Sequence, residues 1–114
     1  MLLNIVERSV EPDITVLELT GRLALGRESQ RVETLVEELV KKRAGKVVLD
    51  LTGVEYIDST GIGIIALASG KLRGAGSTMA LVAPEGRVLQ MIKLTQIDAI
   101  LTVHPTVAAA AAAV

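Results

Sequence analysis

The stretch "YIDSTGIGII", residues 56–65, places one acid, two hydroxyls and two glycines between apolar residues. The side chains in it that could do chemistry are those of Asp58, Ser59 and Thr60. A carboxylate beside two hydroxyls suits nucleophilic catalysis, phosphate binding or the capping of a helix, and each of these functions demands a different spacing. The surrounding residues therefore separate the three functions.

The patterns that enzymatic chemistry requires are missing around Ser59. A nucleophilic serine at a strand-to-helix turn needs Gly-x-Ser-x-Gly, but Ile57 occupies the first of these positions. Such a serine also needs a base, and the only histidine, His104, lies far along the chain. A P-loop needs lysine and a hydroxyl residue directly after its second glycine, whereas isoleucines follow Gly63. The sequence predicts no enzyme, no cofactor and no metal site.

Capping of a helix is the function that the residues themselves favour. A serine, threonine or aspartate just before a helix accepts a hydrogen bond from the first turn, which is worth about 1 kcal/mol. Gly61 and Gly63 then need another reason, because glycine inside a helix costs up to about 1 kcal/mol against alanine. The close approach of another backbone, or of a partner protein, would supply one.

A phosphate on Ser59 would be compatible with the same capping position. The N-terminus of a helix presents unpaired N–H groups and a positive dipole potential to an anion. Beside Asp58, the added charge would repel an acidic or apolar partner without unfolding the domain. Ser59 is therefore a candidate site of regulation by charge.

The composition restricts the fold and the classes of partner. The chain has 114 residues, half of them apolar, which is enough for one domain with a substantial core. Twelve basic residues balance thirteen acidic ones, and Tyr56 is the only aromatic residue, so nucleic acid is not an expected partner. The absence of cysteine fits a reducing compartment, and no apolar stretch is long enough to span a bilayer. We expect a cytoplasmic protein without direct membrane insertion, of undecided oligomeric state.

The elements that must position Ser59 alternate between strands and helices. Apolar and β-branched runs predict strands at 2–10, 14–20, 46–51, 77–83 and 100–103, with a turn at Glu11-Pro12-Asp13 and a loop at 53–58. Apolar periodicity and Pro or Gly signals predict helices at 28–40 with a stop at Gly45, at 62–73, from Pro84 to about 95, and from Pro105 onward. The order β-β-α-β-α-β-α-β-α implies crossover connections. It therefore predicts an α/β fold with a mixed, mainly parallel sheet and helices packed on it.

Together with this order of strands and helices, four segments of the sequence resemble the STAS domain, specifically the bacterial anti-sigma factor antagonists. Residues 1–114 are therefore expected to form one STAS domain. The segments are "VVLDLTGVEYIDSTGIGII", "LTGRL", "GSTMALVAP" and "VLQMIKLT". The resemblance implies a non-enzymatic, partner-switching protein. Its partners would be an anti-sigma factor that is also a serine kinase, and a cognate phosphatase. The unphosphorylated domain would bind the kinase, and phosphorylation of Ser59, or alternatively of Thr60, would release it.

The same resemblance implies a partner-binding surface and leaves two other functions open. The surface around Gly21 to Leu25, the loop 54–58 and the start of the helix after Ser59 would face the kinase. The implied partner-binding residues are Gly21, Arg22, Leu23, Ala24, Tyr56, Asp58, Ser59, Thr60, Gly61, Ile62 and Gly63. Ala24 stands where many members of the family carry an acid, and Gln96 stands where a glycine often closes the penultimate helix in a left-handed conformation. The alternatives are a STAS subunit of a lipid or solute transport system, and a ligand-binding regulatory STAS domain.

Overall fold

The computed structural model describes residues 3–10 and 13–114, without the side chain of Glu28. Within these residues, strands and helices follow the predicted order. The strands are β1 (Asn4–Val10), β2 (Ile14–Leu23), β3 (Lys46–Ile57), β4 (Thr78–Val82) and β5 (Thr102–His104). The helices are α1 (Arg27–Lys41), α2 (Ser59–Gly74), α3 (Arg87–Leu94) and α4 (Val107–Ala113), with a 3₁₀ turn at Ile97–Ala99. The predicted turn residues Glu11 and Pro12 lie outside the described residues.

All five strands belong to one mixed sheet in the order β1-β2-β3-β4-β5. β1 pairs antiparallel with β2, while β2, β3, β4 and β5 pair in parallel. The parallel strands therefore end at the same edge of the sheet, and the helices that cross over between them pack on it. This arrangement confirms the predicted α/β fold. No helix within the two described ranges is both long and apolar enough to cross a membrane.

The core has two parts, one on each face of the sheet. The larger part joins the sheet to α1, α2 and α3 through side chains such as Val36, Ile65 and Ile92. The smaller part lies under α4, where Ala110 packs against residues including Val16 and Val48. Neighbouring residues of β3 are buried on opposite faces, as predicted for "KVVLDL". The C-terminal helix is confirmed too, and the Thr106 hydroxyl caps it.

Two predicted strand ends are wrong, because β2 and β3 both continue further than predicted. β2 extends to Leu23, and residues predicted as the loop 53–58 belong to β3 as far as Ile57. The two extensions pair with each other, with irregular register between Glu18 and Thr20 and between Gly21 and Arg22. A Cβ on Gly53 would overlap the side chain of Thr20, so glycine permits a close, irregular pairing there. The glycines mark irregular strand positions and not the end of the strand.

The stop predicted for α1 at Gly45 is also wrong. The left-handed residue that closes α1 is Arg43, with φ of 58°. The N–H groups of Arg43 and Ala44 donate to the carbonyl oxygens of Val40 and Leu39, as in a Schellman motif. Gly45 is not needed for the turn, because the unpaired carbonyls at the end of the helix are already bonded before the chain reaches it.

The left-handed conformation expected at Gln96 is confirmed, with φ of 62°. A side chain is disfavoured in this conformation and glycine is not. We expect Gln96→Gly to raise the free energy of unfolding by about 0.5–1 kcal/mol in urea denaturation. The control is Gln96→Ala, which shortens the same side chain but keeps a Cβ in the left-handed conformation and should not gain the stability. A Gln96→Gly variant less stable than the wild-type protein would contradict the expectation.

Candidate functional site

Ser59 is the first residue of α2, and its side chain is exposed. Only Asp58 separates it from the end of β3 at Ile57, so the helix begins three residues before the predicted Ile62. Thr60 follows on the same turn and is exposed as well. Both hydroxyls are therefore accessible from solvent at the edge where the parallel strands end.

Asp58 caps α2 and confirms the predicted cap at this turn. The Asp58 backbone is extended, its Oδ1 accepts the N–H of Gly61 at 3.0 Å, and its carbonyl oxygen accepts the N–H of Ile62 at 3.0 Å. Its second carboxylate oxygen, Oδ2, accepts the N–H of Leu25 at 3.1 Å. Since the carboxylate performs the capping, the hydroxyl of Ser59 is not required for it.

The Asp58 carboxylate is ionised at neutral pH. Partial burial acts to raise its pKa, but hydrogen bonds from the backbone N–H groups of Gly61, Leu25 and Thr60 outweigh this effect. The pKa of Asp58 is therefore held below its ordinary range. A permanent negative charge thus lies directly before Ser59.

Gly61 brings α2 into direct contact with the end of β2. A Cβ on Gly61 would overlap the carbonyl oxygen of Leu23 and press on the side chain of Ile57. This contact confirms that another backbone approaches closely at Gly61. Gly63 is different, because among the described residues nothing beyond its chain neighbours and the surrounding helix backbone lies within 4 Å of a Cβ placed there. The approach of a partner protein at Gly63 remains a prediction.

Residues 24–26, here called the Leu25 loop, join β2 to α1 beside the first turn of α2. The N–H of Ala24 donates to the hydroxyl of Ser29 at 3.1 Å, and the N–H of Leu25 donates to Asp58. The Leu25 side chain is 83% exposed, more than any other large apolar side chain in the described residues. The resemblance to the STAS domain implies that the surface from Gly21 to Leu25 faces the kinase, and this role of Leu25 remains a prediction.

Arg22 and Tyr56 form a cation-π pair on the paired ends of β2 and β3. The guanidinium carbon lies 4.1 Å from the centre of the tyrosine ring, and both side chains are exposed. Such a contact at an exposed position is worth about 0.5–1 kcal/mol. It holds a cation over Tyr56, which lies two residues before Asp58 in the chain.

The structure brings the predicted partner-binding residues together at one end of the β2–β3 pair and on the first turns of α2. The side chains of Arg22, Tyr56, Ser59 and Thr60 are exposed, and Asp58 and Gly63 are half-buried. The buried ones are Gly21, Leu23, Ala24, Gly61 and Ile62. These five buried residues support the exposed side chains of the surface, and little of their own area is accessible to a partner. Their partner-binding role remains a prediction.

Comparisons with known proteins agree on one family. The model of the STAS domain family matches residues 6–110. A Thermotoga maritima protein, a candidate anti-sigma factor antagonist, is 28% identical over 98 residues, which cover 86% of this chain and 87% of that protein. An anti-sigma factor antagonist from Mycobacterium paratuberculosis superposes with a TM-score of 0.85 at 23% identity, covering 98% of this chain and 93% of its own. Bacillus SpoIIAA in its phosphorylated form superposes with a TM-score of 0.71 at 13% identity, over 93% of this chain and 96% of its own. The two solved structures share the fold with this chain.

Proposed function

The chain belongs to the STAS domain family, and from this we propose that it is an anti-sigma factor antagonist that acts by partner switching in the cytoplasm. In its unphosphorylated form it binds an anti-sigma factor that is also a serine kinase, and so frees the sigma factor. Phosphorylation of Ser59 releases the chain from the kinase, and a cognate phosphatase restores binding. The chain itself catalyses neither step.

The observation that carries this proposal is that Asp58 and Ser59 have separate roles at the start of α2. Asp58 caps α2, while the neighbouring Ser59 hydroxyl is exposed at the N-terminus of the helix. The hydroxyl that receives the phosphate is therefore not the group that caps the helix. The N–H groups and the dipole at the start of α2 stabilise the added negative charge. The name of the Thermotoga maritima relative supports the class of partner.

The phosphate transfer changes the charge of the surface around Ser59. The Oγ of Ser59 attacks the γ-phosphorus of ATP held by the kinase, ADP leaves, and the hydroxyl proton passes to a base of the kinase. The product carries about two negative charges in place of a neutral hydroxyl. Together with the ionised Asp58 this creates an acidic patch, which repels a partner surface that had accepted a neutral hydroxyl at this position.

Phosphorylation by an anti-sigma factor serine kinase from the same organism tests the proposal. After incubation with that kinase and ATP, mass spectrometry should find one phosphate on Ser59. Ser59→Ala should abolish the reaction, whereas the matched variant Thr60→Ala should leave it intact. Phosphate on Thr60, or no transfer at all, would contradict the assignment. Stable co-purification with a transporter ATPase, unaffected by Ser59→Ala, would favour a transport subunit instead.

A further inference from the structure

The two carboxylate oxygens of Asp58 join two segments that are distant in sequence. Oδ1 binds the N–H of Gly61 in the first turn of α2, and Oδ2 binds the N–H of Leu25, 33 residues before Asp58. Capping of the helix needs only the first of these bonds. The second bond has no role in α2, and its effect is to hold the Leu25 loop against the start of the helix.

We propose that Asp58 is a positioning residue that fixes Leu25 beside Ser59 as the apolar anchor of the kinase-binding surface, and that couples the position of Leu25 to the charge on Ser59. The inference rests on the proposed function and deepens it by naming Leu25 as a side chain that the partner binds. The partner is the anti-sigma factor kinase, and the matching feature on it is an apolar pocket close to its ATP site.

The exposure and the backbone of Leu25 suit an anchor. The side chain is 83% exposed, yet the loop that carries it is held by two hydrogen bonds, one to Ser29 and one to Asp58. An apolar side chain on a backbone that is already ordered can be buried by a partner without a large loss of conformational freedom.

The coupling follows from the N–H groups that Asp58 uses. A phosphate on Ser59 brings a second and stronger acceptor to the first turn of α2, where Oδ1 of Asp58 is bound to Gly61. It also repels the carboxylate directly. Both effects weaken the hydrogen bond that holds the Asp58 carboxylate in place, and a displaced carboxylate also loses the bond from Oδ2 to the N–H of Leu25. Phosphorylation therefore loosens the anchor while it adds charge beside it.

Amide hydrogen exchange in the free protein tests the positioning role without any partner. Asparagine caps helices as well as aspartate does, but it has a single acceptor oxygen, so Asp58→Asn keeps the cap and loses the bond to Leu25. The Leu25 amide should exchange about tenfold faster in this variant, while the Ala24 amide, bound to Ser29, keeps its rate. Phosphorylation of Ser59 should accelerate the Leu25 amide as well. An unchanged Leu25 rate in Asp58→Asn would overturn the inference, and an unchanged rate in the phosphorylated protein would overturn the coupling.

Affinity for the kinase tests whether Asp58 acts through Leu25. Leu25→Ala and Asp58→Asn should each weaken binding about tenfold. The double variant should bind no more weakly than Leu25→Ala alone, because the two changes remove one interaction. The matched control is Leu94→Ala on α3, whose leucine is 80% exposed and which should bind normally. Additive losses, or normal binding by Leu25→Ala, would overturn the inference. A wild-type chain that binds no kinase would instead contradict the proposed function, which the exchange experiment does not require.

Discussion

Replacement of Gly61 by alanine is expected to lower the free energy of unfolding by about 3 kcal/mol, the upper end of the usual cost of overpacking. The new Cβ would overlap the backbone carbonyl oxygen of Leu23, and no change of side-chain rotamer can remove an overlap with backbone. The start of α2 and the end of β2 would have to separate. Urea denaturation of the purified variant measures the loss.

The matched control for Gly61 is the same substitution two residues further along the helix. Apart from its chain neighbours and the surrounding helix backbone, a Cβ on Gly63 meets nothing within 4 Å among the described residues, and alanine is the better helix former. Gly63→Ala should therefore leave the stability unchanged or raise it by up to about 1 kcal/mol. Equal losses from the two substitutions would show that the contact with Leu23 is not what makes Gly61 necessary.

Replacement of Ser59 by glutamate is expected to weaken binding to the kinase about 100-fold, which corresponds to about 2.7 kcal/mol. Glutamate places a second carboxylate beside the ionised Asp58 on a surface that the partner must desolvate. A phosphate carries more charge, so the effect of phosphorylation should be at least as large. Calorimetric titration of the kinase with each variant measures the affinity.

Two controls separate local charge from other causes of weak binding. Ser59→Ala should bind within a few-fold of the wild-type protein, because the hydroxyl is not the cap of α2. Gln90→Glu adds the same charge on the exposed surface of α3 and should have no effect. Circular dichroism should show that Ser59→Glu is folded like the wild-type protein. Tight binding by Ser59→Glu would refute release through charge at this position.

The order of the elements could be predicted because each element carries a local pattern. Apolar residues at helical spacing mark α1, and the continuous run "KVVLDL" marks a strand that is buried on both faces. Alternation of the two patterns then limits the topology to a mainly parallel sheet. The cap at Asp58 could be predicted for the same reason, since its partner Gly61 lies three residues away.

The remaining features depend on residues that are distant in sequence. The glycines of "TGR" and "TGV" resemble turn signals, and only the pairing of β2 with β3 shows that the strands continue through them. The bond from Leu25 to Asp58 spans 33 residues, so no local pattern indicates it. Arg43 adopts a left-handed conformation that a sequence assigns first to glycine. Tertiary contacts decide all three.

The way in which Ser59 is held determines what a kinase can recognise. The surface around it combines the end of β2, the Leu25 loop and the first turn of α2, which are adjacent in the fold and separate in the chain. It is therefore a conformational epitope, and a peptide cut from residues 56–65 lacks half of it. Under the proposed function, a kinase that reads this epitope modifies folded molecules and ignores unfolded ones. Only folded copies of the protein would then take part in the cycle of binding and release. A destabilising change anywhere in the core would therefore reduce the amount of protein that the kinase can bind and phosphorylate.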